Sequence, residues 1–305
     1  MKFGINVLNF GAGTDPAALR ACAEFAESTG YHAVLISDHV AVTPDIAAKY
    51  PAPFYDPFTV LAWMAGITKR VELGTTVIIL PYRHPLQVAR VGAVIDQLSH
   101  GRFILGTGIG WAKQEFQALG IPFQRRARIA DESLAAIQAL WTNDVASYHG
   151  EFVSFENVHT APRPARLPHP PIWVGGNSDA AMRRAVRFGN GWHPINIRAG
   201  WLKNLALPRL REIAEQQGRP IPALCPRINV RIADHPIEDE QRLVGHGTID
   251  QIHADLQELE NLGADYVTLD TYAGDPNAIR DCQAEMKMLG TIAERILDLP
   301  HERLR

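Results

Sequence analysis

Short apolar runs alternate with stretches of helical periodicity about eight times along this chain, and that alternation constrains its fold more than any other feature. The runs are Phe3–Leu8, Ala33–Ser37, Val71–Leu80, Arg102–Gly106, Ile172–Gly175, Gly191–Ile195, Arg227–Ile232 and Tyr266–Leu269. Helical spacing fills Asp15–Thr29, Pro57–Thr68, Pro85–Leu98, Ile129–Trp141, Ala180–Phe188, Leu202–Gln217, Ile249–Leu262 and Ala278–Leu297. In the first of these, Thr14 or Asp15 supplies an N-cap, Pro16 suits the first turn and Gly30 suits the stop. Strands separated by helices cannot form tight hairpins, so the pattern predicts a parallel sheet with helices outside it. Eight such units are the number that closes a (β/α)₈ TIM barrel. An open doubly wound α/β sheet is the competing architecture, and the count favours the barrel. A barrel also takes the whole chain, residues 1–305, as a single domain.

The rhythm breaks once, over Asn143–Pro171, after the fourth βα unit. Tyr148, Phe152, Val153 and Phe155 flank a His149–Gly150 turn, and Pro162, Pro164, Pro168, Pro170 and Pro171 follow. Proline serves neither a helix interior nor a central strand, so this segment reads as a small β-hairpin insertion and an extended connection.

Lys and Arg total 30 against 33 Asp and Glu, a net charge of −3. No basic excess exists to neutralise a nucleic-acid backbone or to hold an anionic membrane, so neither is an expected partner. No window approaches the ~20 apolar residues of a membrane span, and the N-terminal segment lacks a signal-peptide pattern. A cytoplasmic protein is expected. Cys22, Cys225 and Cys282 are odd in number and far apart, suggesting neither a disulfide framework nor a zinc site. The 12 histidines form no H-E-x-x-H and no G-x-S-x-G elbow is present, so the reading assigns no metal ligands and no serine hydrolase chemistry.

A barrel builds its site at the C-terminal ends of its strands. The second ends in Asp38-His39, where a histidine can move a proton near neutral pH and a carboxylate can orient a partner. The same pair could merely satisfy backbone groups at a strand end. After the third, Thr75-Thr76-Val77 could form a bulge or simply suit a strand. After the fourth, Gly106, Gly108 and Gly110 alternate; they could admit a ligand to the backbone or permit tight packing. They match neither the dinucleotide fingerprint nor the phosphate loop. The fifth ends Gly175-Gly176-Asn177 and a helix begins at once, which suits a phosphate or an ordinary cap. Trp63, Trp111 and Trp192 read as core or pocket wall.

Together SDHV (Ser37–Val40), LGTTVIILPYRHP (Leu73–Pro85), GRFILGTGIGW (Gly101–Trp111) and PPIWVGGNS (Pro170–Ser178) resemble the bacterial-luciferase-like superfamily, in its coenzyme F420-dependent oxidoreductase branch. The resemblance runs from Met1 to about Leu297. It implies a (β/α)₈ barrel with a flavin or deazaflavin at its mouth and hydride transfer between F420 and a small organic substrate. It assigns catalysis to His39 and Asp38, with His39 moving the substrate proton. It places the cofactor against Asp38, His39, Thr75, Thr76, Val77, Gly108, Ile109 and Gly110, with a non-prolyl cis peptide at Thr76–Val77. Gly175, Gly176 and Asn177 would take the phosphate. Sugar-phosphate enzymes of this branch often carry an acid where Ile109 stands, and no basic cluster for a phosphorylated substrate is evident in the sequence. A partly apolar substrate is expected against Tyr50–Tyr55, Trp63, Tyr82 and Trp111. A homodimer is implied by the resemblance alone. The alternatives are an FMN-dependent monooxygenase supplied by a partner reductase, and a non-catalytic flavin-binding protein.

Overall fold

A computed structural model describes residues 1–239 and 241–305. The eight barrel strands are β1 (Lys2–Val7), β2 (Ala33–Ile36), β3 (Glu72–Thr75), β4 (Phe103–Gly108), β5 (Ile172–Gly175), β6 (Gly191–His193), β7 (Arg227–Asn229) and β8 (Tyr266–Asp270). The outer helices are α1 (Pro16–Thr29), α2 (Pro57–Ile67), α3 (Pro85–Leu98), α4 (Arg126–Thr142), α5 (Asp179–Phe188), α6 (Leu207–Gln217), α7 (Ile249–Asn261) and α8 (Cys282–Arg295). All ladders among the barrel strands are parallel, in the order β6-β5-β4-β3-β2-β1-β8-β7. The ring closes between β6 and β7. There the Cys225 N–H donates to the Trp192 carbonyl, the Arg227 N–H donates to the Pro194 carbonyl, and Ile195 bridges Arg227. The chain is a (β/α)₈ barrel, as the alternation predicts.

Its strands are apolar because both of their faces are covered. One face of each strand, including Phe3, Ile5, Val7, Val34, Ile36, Leu73, Phe103 and Leu105, joins the core that the helices cover. The other face fills the barrel. Ala33, Leu35, Ile104, Trp173 and Cys225 form an apolar plug inside it, with Tyr266 packed alongside. Asn6, Thr76, His193, Arg227 and Asp270 form a separate hydrogen-bonded polar set.

The expected helix signals act as written: Asp15 accepts from the Ala18 N–H and Gly30 closes α1 at φ 95°. The third run departs from a single strand over Val71–Leu80. It breaks after Thr75, resumes at Ile78–Ile79 beside β4, and tightens into a 3₁₀ turn at Leu80–Tyr82. The Thr76–Val77 peptide bond between the pieces is cis. The seventh run is also shorter than Arg227–Ile232, because Arg231–Ile232 leaves β8 to pair with His246–Gly247. Between α4 and β5, Val145–His149 and Ser154–His159 form an antiparallel hairpin. The Glu132 carboxylate on α4 holds its turn by accepting from the N–H groups of Glu151, Phe152 and Val153.

Candidate active site

The loops after β1 to β6, together with β7, enclose a cavity of about 270 Å³. Of the residues the sequence nominates, Asp38, His39, Thr76, Val77, Gly108, Ile109, Gly110, Gly175 and Gly176 line it. Phe10, Tyr50, Phe54 and Trp111 give it an aromatic rim, and His193 and Arg227 also face it. Thr75 and Asn177 are not part of the lining. Thr75 is fully buried and its hydroxyl donates to the Gly106 carbonyl across the barrel wall. The Asn177 amide is committed at both ends, donating to the Ile195 carbonyl and accepting from the Ile195 N–H, so it ties the β5 loop to the end of β6. Of the expected apolar wall, Trp63, Tyr55 and Tyr82 lie outside the cavity while Tyr50 and Trp111 line it.

The alternating glycines owe their identity mainly to packing. A Cβ on Gly106 would stand 1.8 Å from the Thr75 carbonyl oxygen, and one on Gly108 would stand 2.6 Å from Val77 Cγ2. Both are tighter than real side chains allow, so β4 must be bare where the Thr75–Ile79 bulge crosses it. The same bareness gives the cavity a wall of backbone and Val77, continued by Gly175, whose added Cβ would also meet Val77.

His39 is oriented by a residue that sequence reasoning missed. Glu115, in the short helix Lys113–Ala118, is fully buried, and its Oε2 lies 2.7 Å from His39 Nδ1. Its other oxygen accepts from the Val40 and Ala41 N–H groups at 2.6 and 3.0 Å. Burial pushes the Glu115 carboxyl up, but hydrogen bonds from His39 and Ala41 outweigh it and hold the group below the ordinary carboxylate range. An ionised acceptor fixes the Nδ1–H form of His39 and leaves Nε2 for the cavity. The acid that is absent at Ile109 is therefore present six positions on, aimed at the histidine. The sequence carries no signal for it, because Glu115 stands in the polar turn Lys-Gln-Glu-Phe-Gln-Ala and only the fold buries it, together with Phe116.

Asp38, read as a catalytic and cofactor-binding candidate, lines the cavity but has a fully buried carboxylate. Arg83 donates to both of its oxygens at 2.6 and 2.8 Å, and the Ile79 N–H donates to Oδ2 at 2.9 Å. The pair fastens the β2 loop to the bulge beyond β3. Both oxygens of the Asp38 carboxylate are thus engaged by the protein itself.

His193 sits on the opposite wall, fully buried, with Nδ1 donating to the Cys225 carbonyl. Its Nε2 then accepts from the Thr76 hydroxyl at 2.8 Å. Burial drives its pKa down to about 4, and the Arg227 charge acts in the same direction. Arg227 donates to the Thr76 carbonyl of the cis peptide at 2.8 Å and to Asp270 Oδ2, whose partner oxygen accepts from Asn6. A second cavity of about 340 Å³ shares Tyr50, Ile195 and Arg227 with the first and adds Lys49, Arg231 and His246. Asp270 also lines this second cavity and pairs with Arg227, and burial with the Arg231 and Arg242 charges pushes His246 down, so Lys49 and Arg231 carry its remaining positive charge.

This geometry has relatives. Residues 1–242 match the family profile described as luciferase-like monooxygenase, and the chain belongs to that family. An uncharacterised protein of Mycobacterium tuberculosis is 32% identical over 206 residues, covering 63% of this chain and 71% of the relative. The oxygenase component of a flavin-dependent trigonelline monooxygenase from Acinetobacter baylyi is 32% identical over 168 residues, 54% of this chain and 44% of that protein. An F420-dependent secondary alcohol dehydrogenase, seen in complex with an F420–acetone adduct, superimposes with a TM-score of 0.78 at 16% identity, covering 95% of this chain and 97% of that one. The chain is a luciferase-like oxidoreductase by fold and family.

Proposed function

We propose that this oxidoreductase transfers a hydride between coenzyme F420 and a small organic substrate, with His39 exchanging the substrate proton. The observation that carries the reading is the buried His39–Glu115 pair, 2.7 Å apart, beside a cavity whose far wall is backbone and Val77. The residues present suit a flat ring: Thr76–Val77, Gly108 and Gly175 leave an unencumbered surface for one face of it. When bound, the deazaflavin supplies the hydride donor or acceptor. His39 takes a proton at Nε2 from a substrate hydroxyl, or returns it to a carbonyl, while ionised Glu115 stabilises the imidazolium. Arg227, fixed by Asp270, places a positive charge beside an electron-rich reduced ring. Gly176 and the first turn of α5 would receive the phosphate through backbone N–H groups. The aromatic rim of Phe10, Tyr50, Phe54 and Trp111 suits a flat apolar substrate, and Lys49 and Arg231 in the adjoining cavity suit one bearing an anionic group.

Fluorescence titration with F420 and with FMN tests the cofactor. Micromolar F420 binding with weaker FMN binding is expected; the reverse order would overturn the proposal. The sequence similarity to the trigonelline monooxygenase favours a second reading, an FMN-dependent monooxygenase. Oxygen uptake with reduced FMN and a candidate substrate would promote that reading over the first.

A further inference from the structure

Outside the cavity, the fold brings together two cysteines separated by 260 positions in sequence. Cys22 on α1 and Cys282 at the first position of α8 place their Sγ atoms 3.2 Å apart. Cys22 is buried and Cys282 is partly exposed. The Arg280 guanidinium lies 3.3 Å from Cys22 Sγ, and its own counter-charge is Glu285. Asp281 also faces the pair, but its carboxylate is engaged by the Gln283 and Ala284 N–H groups of the first turn of α8. The contact with Cys22, with the Arg280 charge, lowers the Cys282 thiol, whereas that same contact and burial push Cys22 up. A thiolate beside a cation at a helix start is the reactive form of cysteine.

We propose that Cys282 and Cys22 are an oxidation site, in which Cys282 attacks a hydroperoxide and Cys22 resolves the product to a disulfide. The Cys282 thiolate attacks one peroxide oxygen, the O–O bond breaks, and the departing oxygen leaves as hydroxide or alkoxide and takes up a proton. Cys282 is then a sulfenic acid. Cys22 Sγ attacks that sulfur; the S–O bond breaks, the S–S bond forms, and the leaving hydroxide takes the Cys22 proton as water. The two sulfurs lose two electrons and the peroxide gains them.

The bond would fasten the segment that frames the cavity mouth. The Arg280 N–H already donates to the Ala12 carbonyl and its side chain to the Leu8 carbonyl, on either side of Phe10. Phe10 packs on Tyr272, which stands in the same 271–281 loop as Arg280. Oxidation therefore locks the β8–α8 loop to α1.

The reduced protein is treated with stoichiometric hydrogen peroxide and its peptides are mapped by mass spectrometry. A Cys22–Cys282 linked peptide, lighter by two hydrogens, is expected, with Cys225 unmodified in the barrel plug. In Cys22→Ser, Cys282 should accumulate as a sulfenic acid trapped by dimedone. Iodoacetamide should alkylate Cys282 in the untreated protein in preference to the buried Cys22. Amide hydrogen exchange over 271–281 should slow severalfold on oxidation. A disulfide involving Cys225, no disulfide at all, or preferential alkylation of Cys22 would overturn the proposal. Unchanged exchange in the linked protein would overturn the locking of the loop. None of these readouts depends on which cofactor the cavity takes.

Discussion

Two histidines face the same cavity from opposite walls, and their environments give them opposite chemistry. His39 holds its Nδ1 against an ionised carboxylate, whereas His193 holds its Nδ1 against a neutral carbonyl, with Arg227 close by. At His193, full burial and the neighbouring Arg227 cation oppose a proton on the imidazole and outweigh the Cys225 carbonyl, which favours one. In the proposed reaction His39 exchanges the substrate proton, while His193 is a neutral joint between the Thr76 hydroxyl and the Cys225 carbonyl. A histidine in a cavity is thus not a functional assignment until its second nitrogen's partner is known.

The largest test of that contrast is His39→Ala, expected to lower kcat by roughly 10²–10⁴-fold with little change in cofactor affinity. An unchanged turnover in steady-state assays would favour a binding protein over an enzyme. Next comes the frame behind His39. Arg83→Leu leaves the Asp38 carboxylate buried without its partner and should destabilise the fold by about 3–5 kcal/mol, read from urea unfolding. The His193 wall should be visible in stability against pH. Its folded value of about 4 lies below the ordinary 6.5, so between those values the unfolded state binds more protons and stability falls as the solution is acidified. The loss should approach ~3 kcal/mol by pH 4, and His193→Asn should flatten that slope. Glu115, lowered instead, contributes fully above its ordinary value of 4.5 and loses that contribution only as pH drops through its folded value, a window more acidic than that of His193. The smallest effect is expected from Glu115→Gln, which keeps a hydrogen-bond acceptor but removes the charge. Turnover should drop about tenfold, and the pH profile should shift because the imidazolium loses its counter-charge. A fall in turnover with no movement of the profile would reduce Glu115 to a scaffold role.

Much of the barrel was legible from local pattern. Asp15, Pro16 and Gly30 bracket α1 because capping is decided within a few residues. The strand ends were legible as places, and Thr76, Val77, Gly108 and Gly176 do line the cavity. What those residues do there was less legible. Asn177 looked free to hold a phosphate, yet Ile195 takes both ends of its amide. Asp38 looked like a partner for substrate, yet Arg83, 45 positions away, encloses it. The third strand read as continuous because β-branched residues fill it, while the break after Thr75 reflects its crossing over Gly106 and Gly108.

By itself, then, the sequence determined the alternation of strands and helices, the caps that end them, and which side chains stand at the barrel's C-terminal rim. These follow from periodicity and backbone preference, which act over one or two turns of chain. Only the closed barrel decided that Glu115 meets His39 across 76 positions, that Arg227 meets the Thr76 carbonyl across 151, and that Cys22 meets Cys282 across 260. The physical reason is that a hydrogen bond or ion pair between distant segments has no local trace. It exists because ring closure brings eight strand ends within reach of one another and burial leaves their polar groups no water to bind.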